Sequence, residues 1–225
     1  MGALNRPPAV PTMAFQRSRT RAPRLLSHTM GDALREADLV REAREGDRAA
    51  FDRLVRAHFG GIYGVLFRMI GNHEDAEDLA QETFVRAWRG LDGFREEAPL
   101  RPWLTRIAVR LAMDHFRSRG RGTAVVQLEG LTEMPAKLGG QPATHVSQRE
   151  FEAAVSRAID HLPPRLRAAL VLRVLEGREY DEVAEALELR PNTVRALVVK
   201  ARRLLWRHLA PFLDPESESR DGGTT

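Results

Sequence analysis

The chain has 225 residues, 43% hydrophobic and 29% charged, with a formal net charge of +4, which is an ordinary globular composition with length for one or two domains. It has no cysteine, which excludes disulfides, thiol chemistry and cysteine-ligated zinc or iron–sulfur centres. No apolar run approaches the roughly 20 residues that span a bilayer, and no apolar stretch follows the N-terminal arginines, which argues against a secretory signal and against membrane insertion; the expected location is the cytoplasm.

Residues 1–31 carry prolines and Arg6, Arg17, Arg19, Arg21 and Arg24, with no acid before Asp32. This segment reads as a disordered basic tail, or as untranslated sequence ahead of a start at Met13 or Met30. Residues 32–119 read as a first helical domain. Ala33, Leu39, Val40 and Ala43 open an amphipathic helix, and the run from Ala50 to Met69 keeps helical spacing. Gly71-Asn72 stops that run. The acids Glu74, Asp75, Glu77 and Asp78 suit the first turns of the next helix, expected to reach about Trp88. Gly90 to Pro99 reads as a loop, and Leu100 to about Arg117 as another helix. Residues 120–147 have glycine and proline and no period, and read as a flexible linker. Residues 148–212 return to helix, broken at Pro163-Pro164, Gly177 and Pro191. Residues 213–225 read as a frayed polar tail. The expected fold is all-α, with two small helical domains on a tether.

Tyr180 to Arg203 has the spacing of a helix-turn-helix. Val183, Ala184 and Leu187 form one inward stripe, Leu189 lies in the turn, and Val194, Leu197 or Val198, and Ala201 form a second. Pro191 suits a helix first turn, where its missing N–H costs nothing. No acid occurs from Pro191 to His208. An outer arc holding Asn192, Arg195, Val199, Lys200, Arg203 and Arg207, with Thr193 also in its N-terminal half, suits the major groove, with Arg195 or Asn192 on a base edge and Lys200, Arg202, Arg203 and Arg207 on phosphates. Glu188 stands where glycine would ease the turn.

Two features mark the first domain. Asp78 to Trp88 turns Leu79, Phe84 and Trp88 inward and leaves Asp78, Gln81, Glu82 and Arg86 outward. Such a face could bind a basic partner, serve acid–base or metal chemistry, or simply be solvated. The following helix carries Arg101, Arg106, Arg110 and Arg117, with Asp114 its only acid, interleaved with aromatic and aliphatic residues. Arginine among aromatics suits unstacked bases, although Trp103 and Ile107 are expected in the core.

In order along the chain, AEDLAQETFVRAW (76–88), RPWLTRIAVRLAMDHFRSRGR (101–121), LPPRLRAALVLRVLEG (162–177) and the helix-turn-helix resemble the extracytoplasmic function (ECF) group of bacterial sigma factors. The resemblance runs from about Leu39 to about Leu209. It implies that residues 32–119 are sigma domain 2 and residues 148–212 sigma domain 4. It implies a function in directing core RNA polymerase to promoters and opening the DNA, in a stress or envelope response, without catalysis. By the same resemblance Asp78, Gln81, Glu82 and Arg86 dock on the β′ clamp helices. Arg101, Arg106, Arg110, Asp114 and Arg117, with the loop 92–99, engage the −10 element. Asn192, Thr193, Arg195, Ala196, Val199, Lys200 and Arg203 read the −35 element. The implied partners are core polymerase, including its β flap, promoter DNA and an anti-sigma factor. Arg110 stands where relatives often have Asn, Glu188 and Asn192 where they often have Gly, and Ala196-Leu197 where they often have Ser-Arg. The promoter sequence is therefore expected to be this chain's own.

Two other classes fit parts of the sequence. A plain helix-turn-helix regulator accounts for the second domain but leaves the first unexplained. An enzyme on nucleic acid needs metal at its carboxylates. No cofactor or metal site is evident; His145 and His161 lack neighbours at ligand spacing.

Overall fold

The structure, a computed structural model, describes residues 30–94, 99–120 and 147–213. Residues 1–29 of the expected N-terminal tail, most of the linker, part of the loop before Pro99, His145 and residues 214–225 of the expected C-terminal tail lie outside them; Met30 and Gly31, expected in the tail, instead open the first helix. The described residues form eight α-helices and no β-strand. Four make a first bundle: α1 (Met30–Arg44), α2 (Arg48–Ile70), α3 (His73–Gly90) and α4 (Leu100–Ser118). Four make a second: α5 (Gln148–Asp160), α6 (Pro164–Leu170), α7 (Tyr180–Leu187) and α8 (Pro191–Leu209), with α6 running on as a π-helical turn over Val171–Leu175. Two helical domains were expected, and two are found.

The helix ends follow from local chemistry. Asp47 caps α2 by accepting from the N–H groups of Ala49 and Ala50 at 2.8 and 3.3 Å. Gly71 ends α2 in the left-handed region at φ 78°, its N–H reaching the Phe67 carbonyl. Asn72 then caps α3 through the Asp75 N–H at 3.1 Å. The stop and start foreseen at Gly71-Asn72 are thus one turn. Ser147 and Glu150 form a reciprocal capping box on α5. Pro164 and Pro191 occupy the first turns of α6 and α8. The start of α4 has no side-chain cap of its own, because Pro99 stands there. Glu36 of α1 fills the gap: one carboxylate oxygen accepts from the Leu100 N–H at 3.3 Å, the other lies 2.8 Å from Nε2 of buried His58 on α2.

In the first bundle α2 is the central helix, packing on α1, α3 and α4. Its core holds Leu54, Leu66, Met69, Phe84, Leu104 and Val109, all nearly without exposure. The predicted inward residues of the third helix divide. Phe84 is buried, whereas Leu79 and Trp88 are half-buried and rest against the core; Ala76, Ala80 and Ala87 complete the seal. Small residues there let α3 lie close on α2. In the second bundle α8 packs on α5, α6 and α7 through Val194, Leu197, Val198, Ala201 and Leu205. The choice left open between Leu197 and Val198 resolves to both.

The bundles also pack on each other. Arg167 of α6, 7% exposed, donates to the Met69 carbonyl at 2.8 Å and also to the Asp160 carbonyl. Its guanidinium lies 5.6 Å from the Phe116 ring centroid of α4. Two outcomes test this packing. Phe84→Ala removes a ring at 1% exposure and should cost about 3–5 kcal/mol in urea unfolding, against about 0.5 kcal/mol or less for exposed Arg89→Ala. Gly71→Ala would force a Cβ into the left-handed region, 2.9 Å from Asp160 Oδ1. It should lower stability by about 1–2 kcal/mol, read as an earlier urea midpoint.

Candidate nucleic-acid interface

The charged residues singled out in the sequence fall on three helices. On α3 the buried stripe fixes the orientation, so Asp78 and Arg86 are exposed and Gln81 and Glu82 half-exposed on the opposite side. Arg86 Nε donates to Glu82 Oε1 at 2.9 Å, so Arg86 steadies the carboxylate four residues before it. Thr83 turns inward and satisfies its hydroxyl on the Leu79 carbonyl at 2.7 Å. Near this face, burial and the Glu77 carboxylate push the Tyr63 phenol above its usual pKa. Among the described residues no group of three or more histidines and carboxylates could hold a metal ion.

On α4 the apolar side carries Leu104, Ala108, Leu111, Ala112 and Phe116 into the core. Trp103 and Ile107 are half-buried and rest on that core, as expected; Trp103 meets Phe94 with ring centroids 5.1 Å apart. The loop before α4 begins as a short 3-10 turn, Leu91–Gly93, and the Asp92 carbonyl accepts from Arg44 at 2.8 Å. Arg101, Arg110 and Arg117 are exposed, Arg106 and Asp114 half-exposed. None of the four arginines is without a carboxylate. Arg117 pairs with Asp114 on the same helix. Arg101, Arg106 and Arg110 pair with Glu176, Glu185 and Glu188 of the second bundle.

The second helix of the helix-turn-helix, α8, presents Asn192, Arg195 and Val199 outward, with Thr193, Ala196, Lys200 and Arg203 half-exposed. Val199 is 41% exposed, an apolar group among donors, as contact with a thymine methyl would require. Arg195 is held in place. It donates to Asn192 Oδ1 at 2.9 Å, and its guanidinium lies 4.9 Å from the Tyr180 ring centroid. Arg173 lies 4.8 Å from the same ring. Tyr180, the first residue of α7, is thus an orienting residue that the sequence reading passed over; an aromatic at the start of the first helix was the available signal. The turn between α7 and α8 contains Glu188 at φ 55°, the one non-glycine residue with positive φ among those described. The N–H groups of Glu188 and Leu189 close the turn on the Glu185 and Ala184 carbonyls.

The structure therefore leaves the α3 and α8 faces open and brings the α4 face against α7. Sequence reasoning missed Arg68, Arg167, Glu176 and Glu185, whose partners lie on distant elements. His161, read as isolated, has His208 beside it with ring centroids 5.6 Å apart, and its Nδ1 meets the Arg157 carbonyl. No helix of the described residues is long and apolar enough to cross a membrane.

Comparison with known proteins agrees with this geometry. Residues 54–122 match the family model Sigma-70 region 2, and residues 152–205 match Sigma-70, region 4. The RNA polymerase sigma-H factor of Pseudomonas aeruginosa is 33% identical over 79% of this chain and 95% of its own. The ECF RNA polymerase sigma-E factor of Escherichia coli K12 is 30% identical over 82% of this chain and 99% of its own. Among solved structures, CnrH in complex with the cytosolic domain of CnrY is similar at 26% identity and a TM-score of 0.56, covering 79% of this chain and 98% of that one. The sigma factor RpoE of Bartonella quintana, solved with the anti-sigma factor NepR, shares the fold at 24% identity and a TM-score of 0.53, covering 71% and 96%. Two family regions in the right order and whole-length relatives place this chain in the ECF group of RNA polymerase sigma factors.

Proposed function

We propose that α3, α4 and α8 divide the work of initiation as the sequence resemblance suggests. The observation that carries this reading is the pairing of an exposed acidic face on α3 with an acid-free helix-turn-helix face on α8 in one chain. Asp78, Gln81 and Glu82 dock on a basic surface of core polymerase, the β′ clamp helices, with Arg86 holding Glu82. Arg101, Arg106, Arg110 and Arg117 take the phosphates of the −10 element, and Asp114 orients Arg117. Extruding a base costs a few kcal/mol, which stacking and phosphate contacts on this helix offset.

The α8 face enters the major groove of the −35 element. Arg195, pre-set by Tyr180 and Asn192, is built for the paired acceptors of guanine, and Val199 for a thymine methyl. Thr193 and Ala196 flank them, and Lys200 and Arg203 bind the backbone. Domain boundaries at residues 32–119 and 148–212, joined by the segment 120–147, let both elements be reached at once. The protein is a targeting factor in the cytoplasm; phosphodiester chemistry belongs to the polymerase. An anti-sigma factor that clamps both domains is the expected regulator, in a stress or envelope response.

Two measurements test this. The purified chain should co-elute with sigma-free core RNA polymerase, and Glu82→Arg should abolish co-elution while leaving duplex DNA binding intact. Absence of co-elution, for both the full chain and a form starting at Met30, would sink the reading. On a promoter mapped by run-off transcription, Arg195→Ala should cost about 1–3 kcal/mol and relax preference at one base position. Lys200→Ala should weaken all duplexes alike and reduce the salt slope by about 1.

A further inference from the structure

The far end of the second bundle holds two histidines that DNA recognition leaves unused. His161 is the C-cap of α5, and His208 lies in the last turn of α8, beyond Arg203. Both side chains are exposed, and their ring centroids lie 5.6 Å apart at an interplanar angle of 31°. Each stands on a fixed piece of chain. Leu162, 3% exposed, and then Pro163-Pro164 follow His161, and the two proline rings hold the backbone at that corner. On α8 the neighbours Leu205 and Leu209 are buried.

The hydrogen bonds fix the state of both rings. Nδ1 of His161 lies 2.7 Å from the Arg157 carbonyl, and Nδ1 of His208 lies 2.8 Å from the Leu204 carbonyl. A carbonyl only accepts, so each Nδ1 carries the hydrogen, and the neutral ring has its lone pair on Nε2. This is the form in which histidine binds metals: an N–H spent on a backbone carbonyl orients the ring and raises the basicity of the other nitrogen. One ion bound to two such nitrogens at about 2.0–2.1 Å each sets the ring centroids roughly 5 Å apart, close to the spacing found. The C-terminal ends of α5 and α8 add partial negative charge there, which offsets Arg157 and Arg207 in the same last turns. Helix capping by itself explains each Nδ1 contact, but it does not require the two rings to be neighbours.

We propose that His161 and His208 form a surface site for a divalent ion of the zinc, nickel or copper type, bound through the two Nε2 atoms. Water fills the remaining positions, since among the described residues no third histidine or carboxylate completes a set. Imidazole selects these ions over magnesium and calcium, which take oxygen ligands. The ion ties the end of α5 to the end of α8. The fully buried residues of α5 are Ala154 and Ala158, so small side chains carry much of its packing on α8. A metal tie at the open end therefore strengthens the bundle that carries α8.

The test titrates zinc chloride into the untagged full chain by calorimetry, in a buffer that does not bind metal. One ion per chain is expected, and magnesium chloride should give no binding. His161→Gln and His208→Gln should each weaken zinc binding about tenfold or more. The double variant should bind no more weakly than either single one, since one ion needs both rings. His28→Gln with His145→Gln, which changes the two histidines outside the described residues, should leave binding unchanged. Zinc should also raise the urea midpoint of the full chain. That rise should vanish in either single variant, whatever the variant does to stability without metal; a capping role alone would not produce it. Binding that survives either single substitution, or that magnesium matches, overturns the site. So does binding lost in the His28→Gln, His145→Gln control, or seen only as the chain dimerises in sedimentation. Should a glutamine variant fail to fold by circular dichroism, the electron paramagnetic resonance of copper(II) bound to the unaltered chain decides. Coupling to two ring nitrogens supports the pair, and coupling to one overturns it.

Discussion

A guanidinium at 7% exposure needs acceptors for its donors, and the two Nη groups of Arg167 find them in both bundles. It donates to the carbonyls of Asp160 and Leu162 in its own bundle and of Met69 at the end of α2. The Asp160 carboxylate lies 3.5 Å away and the Phe116 ring flanks it. The last carbonyls of a helix have no partner within it, so Met69 offers a strong acceptor at the right place. The acceptor exists because Gly71 turns the chain sharply there. A left-handed glycine, a helix end and a buried cation thus form one joint, and the relative placement of the bundles depends on it.

With that joint set, α4 becomes the element both bundles use. Its apolar stripe seals the first core, and its charged side lies toward α7. The same arginines suit nucleic acid and carboxylates, because each is an array of oxygen acceptors bearing negative charge.

The helix-turn-helix shows a different economy. Its turn retains a glutamate in the left-handed region, and its reading helix carries an arginine whose approach is set by a tyrosine on the preceding helix. Orientation of Arg195 before any partner arrives reduces the side-chain entropy lost on binding. The strained Glu188 and the orienting Tyr180 sit at opposite ends of α7, so that short helix links the DNA-reading face to the contact with α4.

Much of this was legible in the sequence. Helix boundaries at Gly71-Asn72, Pro164 and Pro191, the inward stripes, and the acid-free face of α8 all depend on the helical repeat and on capping and turn chemistry within a few residues. Those are local rules, and a linear sequence contains them. The departures at Arg110 and Glu188 were legible there too, though not their pairing. Only the tertiary structure decided that Arg101 meets Glu176 across 75 residues, that Arg106 meets Glu185 across 79, and that Arg167 is buried across from Met69. A charge at one helical position says which side faces outward; what it faces depends on how two separately formed cores are turned against each other.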